Sequence, residues 1–170
     1  MKKLFASLLA LAMLLTLAAC GTKAPAETQV PTRPMMGGNV QIANPFITCK
    51  DLDEAAKIAG FSITLPECHP EWMTELILHA VDKDMIEVIY WGDDDEIRIR
   101  KAPGDRDISG VYNDFEKVEE ITVGDYTVTL RSNEGKPYIA MWYHDGYTYF
   151  IRTVQGLPME ELTRLILGTR

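Results

Sequence analysis

Only a few residues in this 170-residue chain have the types and spacing to do chemistry. Asp93, Asp94, Asp95 and Glu96 set four carboxylates in one turn. Hard cations such as calcium take roughly six to eight oxygen ligands, so the composition suits a metal. The spacing does not: the mid-loop Gly and the distal Glu of a calcium-binding EF-hand loop are missing. A solvated acidic turn is the plainer reading, and no metal or other cofactor is expected. Asp105 and Asp107 lie in another loop and would join the turn only if the fold brought them close. Cys68-His69, with Cys49, puts a thiol beside an imidazole, as a zinc ligand set or a Cys/His nucleophile would require. Neighbouring residues on a strand point to opposite faces, and no ligand-spacing motif joins the three. Trp142, Tyr143, Tyr147 and Tyr149, joined by Tyr90 and Trp91, supply the rings of a ligand-binding platform for a glycan or a peptide, with core packing as their competing use. His79 sits in an apolar strand and reads as structural; His144 adjoins a turn and reads as exposed. No Gly-x-Ser-x-Gly, Ser-x-x-Lys, His-Glu-x-x-His or phosphate-cradling glycine loop is present. No catalytic residues are expected, and the protein reads as a non-enzyme.

The remaining cysteine stands in a different setting. Met1-Lys2-Lys3 is a short basic head, and Phe5 to Thr16 is an apolar run rich in Leu and Ala. The run is shorter than the roughly 20 apolar residues of a membrane-spanning helix, and it has the form of an export signal. Leu17-Ala18-Ala19-Cys20-Gly21 resembles the bacterial lipobox. The resemblance implies cleavage before Cys20, a thioether-linked diacylglycerol on its sulfur, and anchoring to a membrane with no spanning helix. Two acyl chains hold stably where one holds marginally, at about 0.8 kcal/mol per buried methylene. The expected location is the extracytoplasmic face of a cell membrane. In an exported chain the other two cysteines, Cys49 and Cys68, are free to form a disulfide, which would contribute about 3 kcal/mol in the chain-entropy model. Two buried thiols are the alternative.

Charge narrows the partners. The formal net charge of −8 becomes −10 once Lys2 and Lys3 leave with the signal. That acidity argues against nucleic acid and against docking on anionic headgroups. Residues 1–19 are the signal. Residues 20–43, with Pro25, Pro31, Pro34 and Gly37-Gly38, have no periodicity and read as a tether. A flexible chain of that length reaches about 25–30 Å. Residues 44–170 make one folded domain.

The elements that must position any site follow from periodicity. Asp51 and Glu54 open a helix as a capping box does, and Leu52, Ala55, Ala56 and Ala59 form one apolar stripe. Phe61 to Leu65 alternates as a short strand. Strand patterns then recur over 74–81, 85–91, 96–101, 116–123, 126–131, 138–143 and 147–154, separated by turn residues. Asp145-Gly146 is the clearest hairpin turn. A two-residue loop there sets Trp142 opposite Tyr149 and Met141 opposite Phe150. Both faces of that hairpin are apolar, so cover on both sides is expected. Residues 102–114 read as a loop. Leu157-Pro158 opens a last helix, with Leu162, Leu165 and Ile166 inward. The fold class predicted is α+β: an antiparallel β-meander of about seven to eight strands, with an N-terminal and a C-terminal helix packed on it.

Several of these stretches together carry a family likeness. They are Asn44-Pro45-Phe46, Leu52-Asp53-Glu54-Ala55, Gly60-Phe61 with Leu65-Pro66, Asp107-Ile108-Ser109-Gly110-Val111-Tyr112-Asn113, and the hairpin Ala140-Met141-Trp142 to Gly146-Tyr147-Thr148-Tyr149. They resemble an uncharacterised domain of bacterial lipoproteins, found also in anti-sigma-factor-like membrane proteins. The resemblance runs from about Asn44 to Leu167 and implies an extracytoplasmic accessory or sensing domain. Cys49 and Cys68 are not part of that pattern. The expected function is a lipid-anchored binding or sensing module of the cell envelope, meeting the membrane through Cys20 and an envelope protein or glycan through its folded domain. A cell-envelope hydrolase and a purely structural interaction domain are the rival readings.

Overall fold

The computed structural model describes residues 43–67 and 71–170. The signal, Cys20, most of the tether, and the pair Cys68-His69 lie outside the described residues. Helix α1 (Leu52–Ala59) starts where the sequence marks it: the Asp51 carboxylate accepts a hydrogen bond from Glu54 N at 2.8 Å. The returning Glu54 carboxylate reaches one residue beyond the cap, to Lys50 N at 2.8 Å. Gly60, at φ +82°, closes the helix in the left-handed conformation that favours glycine.

Eight strands follow or flank it: β1 (Ile47–Cys49), β2 (Glu75–Val81), β3 (Met85–Trp91), β4 (Glu96–Pro103), β5 (Lys117–Val123), β6 (Tyr126–Asn133), β7 (Lys136–His144) and β8 (Tyr147–Thr153); helix α2 (Met159–Gly168) follows β8. They form one antiparallel sheet in the order β1-β2-β3-β4-β8-β7-β6-β5. The α+β class and the two terminal helices are as predicted. The topology is finer than a single meander: two four-stranded meanders, β1–β4 and β5–β8, join where β4 pairs with β8. The cause is the long connection after β4. It crosses one face of the sheet to the far edge, so the next strand starts an edge rather than a hairpin. That connection is called the strap below.

Register makes the two faces chemically different. On the helix side, Cys49, Leu78, Val88, Ile99, Ile151, Ala140 and Leu130 line up across seven strands. All are buried and belong to one core with Ala55, Ala59, Leu162, Leu165 and Ile166 from the helices. On the strap side, the row His79, Glu87, Arg100, Phe150, Met141, Thr129 and Glu120 mixes charge, aromatic and hydroxyl. A smaller core forms there from Met85, Ala102, Ile139 and Phe150, closed by Ile108 of the strap.

Phe61 to Leu65 is not a strand. Its backbone partners lie elsewhere: Thr64 exchanges both hydrogen bonds with Arg170, at 2.6 and 3.1 Å, and Ser62 O accepts from Lys101 Nζ at 2.8 Å. The segment is drawn to the chain end and a lysine, with Ile63 buried beneath it.

Two outcomes follow. Ile151→Ala, at a fully buried position in the middle of the helix-side row, should lower unfolding free energy by about 2–5 kcal/mol in urea denaturation, whereas Val118→Ala, exposed on edge strand β5, should change it by less than about 0.5 kcal/mol. Asp51→Ala, which removes the α1 cap, should cost about 1 kcal/mol by the same measurement.

Candidate functional site

The strap is held down by a buried ion cluster. Glu87 is 2% exposed on β3. One of its carboxylate oxygens accepts from Arg100 Nε at 2.7 Å and from an Arg98 terminal nitrogen at 3.1 Å; the other lies 3.1 Å from His79 Nδ1. Arg98 also donates to Glu96 at 2.9 Å. Burial pushes the Glu87 carboxyl up, but Arg100, His79 and Arg98 outweigh it and hold it below the ordinary carboxylate value. Arg100 turns the rest of its guanidinium fork to the strap and donates to the carbonyls of Ile108 and Ser109 at 2.8 and 2.9 Å. Further along, Asp107 accepts from Arg131 of β6 at 3.0 Å and from Ser109 N at 2.7 Å. Burial raises the Asp107 carboxyl, while its bonds from Ser109 and Arg131 bring it below the usual range. At the start of the strap, the buried Thr148 hydroxyl donates to Gly104 O at 2.6 Å and accepts from Arg106 N.

So pinned, the strap becomes one wall of an open groove of about 380 Å³. Its floor is strands β6 and β7, with Thr127, Thr129, Met141 and Tyr143; Asp105 to Asp107 stand on one side and Glu120 of β5 on the other. A volume of this size lies within the roughly 300–1,000 Å³ range of small-ligand sites. Tyr143 is half exposed. The lining offers an aromatic ring, hydroxyls and carboxylates, which can orient a polar ligand.

The predicted aromatic platform is not assembled. Trp142 and Tyr149 are buried on the helix side, stacked at 5.2 Å and 7° between ring planes. Burial pushes the Tyr149 hydroxyl up to about 12. Tyr147 packs beside them, and Tyr90 is buried in the same core. Tyr147 and Tyr149 flank buried Lys101, whose ammonium lies 4.5 Å from the Tyr147 ring centre and 5.2 Å from that of Tyr149. Tyr143 is the member that faces the groove, because alternation along β7 turns it away from Trp142. The predicted cover of the hairpin on both sides therefore holds at Phe150 and Ile139, under the strap, and fails at Tyr143.

The acidic turn is used structurally. Asp95 Oδ1 accepts from Glu96 N at 2.8 Å and Gln155 N at 3.3 Å, and Glu96 pairs with Arg98. Asp105 and Asp107 cannot join Asp93 and Asp94, because they follow the opposite end of β4, roughly 23 Å away at about 3.3 Å per residue. Among the described residues no group of three His, Cys, Asp or Glu is placed to hold a metal. His79 is engaged with Glu87, and His144 Nε2 lies 3.1 Å from Asp145. Cys49 is buried on β1, its thiol pushed up by burial and by Glu54; its pairing with Cys68 falls outside the described residues.

The strap cluster had a signal in the sequence that periodicity alone does not raise. Glu87 interrupts the apolar strand Met85-Ile86-Glu87-Val88-Ile89, and the next strand alternates Arg98 and Arg100 with isoleucines. A lone acid in an apolar strand beside two arginines marks a buried pair once the register is known.

Arg100→Lys keeps the charge but lacks the fork that reaches both Glu87 and the strap. It should speed hydrogen exchange at the Ser109 and Val111 amides well beyond its effect on global unfolding, read by exchange mass spectrometry. Glu87→Gln should destabilise the fold by about 3–5 kcal/mol at neutral pH, by leaving the buried Arg100 without its carboxylate while Arg98 keeps Glu96. Because the Glu87 carboxyl is held down in the folded state, its contribution is complete above the ordinary value of 4.5 and is lost as pH falls through the lower folded one. The wild type should lose stability in acid more steeply than the Gln variant in denaturation curves taken from pH 7 downward.

Comparison with known proteins adds a family and little else. No curated protein and no solved structure matches the chain. Residues 65–167 match the family described as Domain of unknown function (DUF4367), a span that takes in the strap, the buried Glu87 cluster, the groove and helix α2 through Leu167. The chain belongs to the DUF4367 family.

Proposed function

We propose that the protein is a lipid-anchored, extracytoplasmic binding or sensing module of the bacterial cell envelope, of the kind carried by lipoproteins and anti-sigma-factor-like proteins. The observation that carries the reading is the groove: an open cleft of about 380 Å³, polar on its walls and aromatic on its floor, kept in shape by a buried ion cluster. Its lining offers threonine hydroxyls and carboxylates but no Ser, Cys or His. Asp105 on the strap and Glu120 on β5 stand on opposite walls of the groove.

The address supports the same reading. Met1 to Cys20 has the form of a lipoprotein signal, and a stretch with Pro25, Pro31, Pro34 and Gly37-Gly38 and no periodicity follows it. Full-length protein made in bacteria with an alkyne fatty acid should carry the label and sediment with membranes, and Cys20→Ala should lose both. Label retained by the Cys20→Ala protein would overturn the anchor.

A further inference from the structure

We propose that the groove takes a linear organic cation, with ammonium or guanidinium groups at both ends of a flexible chain; this rests on the binding reading above. The groove residues pair selectively. Arg106 is committed to Asp84, and Asp107 to Arg131 at 3.0 Å. Asp105 and Glu120 enter no ion pair or side-chain hydrogen bond among the described residues, so the lining keeps two uncompensated carboxylates, one on each wall. An anionic ligand is disfavoured by that charge. Among the described residues no three His, Cys, Asp or Glu side chains are grouped there to hold a metal ion.

The floor between the walls suits the middle of such a chain. Met141 and Tyr143 present a thioether and a half-exposed ring to the cavity, and Thr127 and Thr129 present hydroxyls. Methylenes lie on the apolar atoms, a cation near the Tyr143 face gains from its ring, and inner amines donate to the hydroxyls. The ligand lies across the strands, one end at Glu120 and the other at Asp105. A second copy of the chain is a poor occupant. Pairing β5 with β5 antiparallel about Glu120 would set Glu120 directly opposite its own copy, and like charges directly opposite are destabilising.

Isothermal titration of the full chain in neutral detergent tests this. Spermidine stands for a free amine, and a Lys-Ala-Lys peptide blocked at both ends stands for side chains of a polypeptide. At least one should bind at low salt and weaken as salt rises, since exposed charges are screened within about 10 Å at 0.1 M. The double variant Asp105→Asn, Glu120→Gln should weaken binding by up to about tenfold, as two exposed charge pairs allow. Asp94→Asn, on the remote acidic turn, should leave it unchanged, with thermal melts confirming that each variant is folded. Equal losses from Asp94→Asn and from the double variant would reduce the effect to diffuse attraction by an acidic protein and overturn the site. A neutral chitotetraose that binds in a Tyr143-dependent way, with neither cation binding, would overturn the ligand class while the binding module stands. Failure of both cations to bind would overturn this proposal, whether or not chitotetraose binds.

Discussion

The strap side of this protein depends on one contact, the 2.7 Å bond between Arg100 and the buried Glu87. A buried carboxylate is tolerated only when its charge is answered and its lone pairs are bonded. Arg100 does both, and the same guanidinium reaches the carbonyls of Ile108 and Ser109. A rigid fork with donors on several sides can serve a carboxylate and a loop at once; an ammonium on a flexible stem holds both less well. The strap therefore lies on the sheet in a fixed place, Ile108 plugs the smaller core, and the groove acquires a wall.

The two faces solve different problems. The helix side buries continuous rows of branched and aromatic side chains under two amphipathic helices, and buried Lys101 there lies over the rings of Tyr147 and Tyr149 and donates to Ser62 O. It is closed and uniform. The strap side has a single extended segment for cover, which spans the middle of the sheet and leaves strands β6 and β7 bare near Tyr143. The crossing is itself a product of topology. β4 is followed by a connection too long for a hairpin, so β5 lands at the far edge and β8 returns to pair with β4.

Much of this frame was legible in the residues. The Asp51 cap, the alternation of Ile97 and Ile99 with Arg98 and Arg100, and the Asp145-Gly146 turn specify local backbone geometry through short-range sterics and hydrogen bonds. That turn fixed the pairing of Trp142 with Tyr149 and Met141 with Phe150, and the structure has both pairs. Phe61 to Leu65 failed because alternation reports one buried side, not a strand partner; its hydrogen bonds go to Arg170 and Lys101, remote in sequence. The aromatic platform failed for the converse reason. Nearness along β7 and β8 places side chains on alternate faces, so Tyr143 and Trp142, expected on one platform, point to opposite faces.

The sequence by itself determined the fold class, most of the strands and both helices. Those are matters of local period, capping and turn chemistry, all readable within a few residues. The tertiary structure decided which charges are buried and paired, which aromatic ring meets solvent, and where a cavity opens. Glu87 and Arg100 are thirteen residues apart and Asp107 and Arg131 twenty-four. Their contacts exist because the sheet register and the crossing strap bring distant segments together. Pairings across that separation depend on the global path of the chain, and no local pattern encodes it.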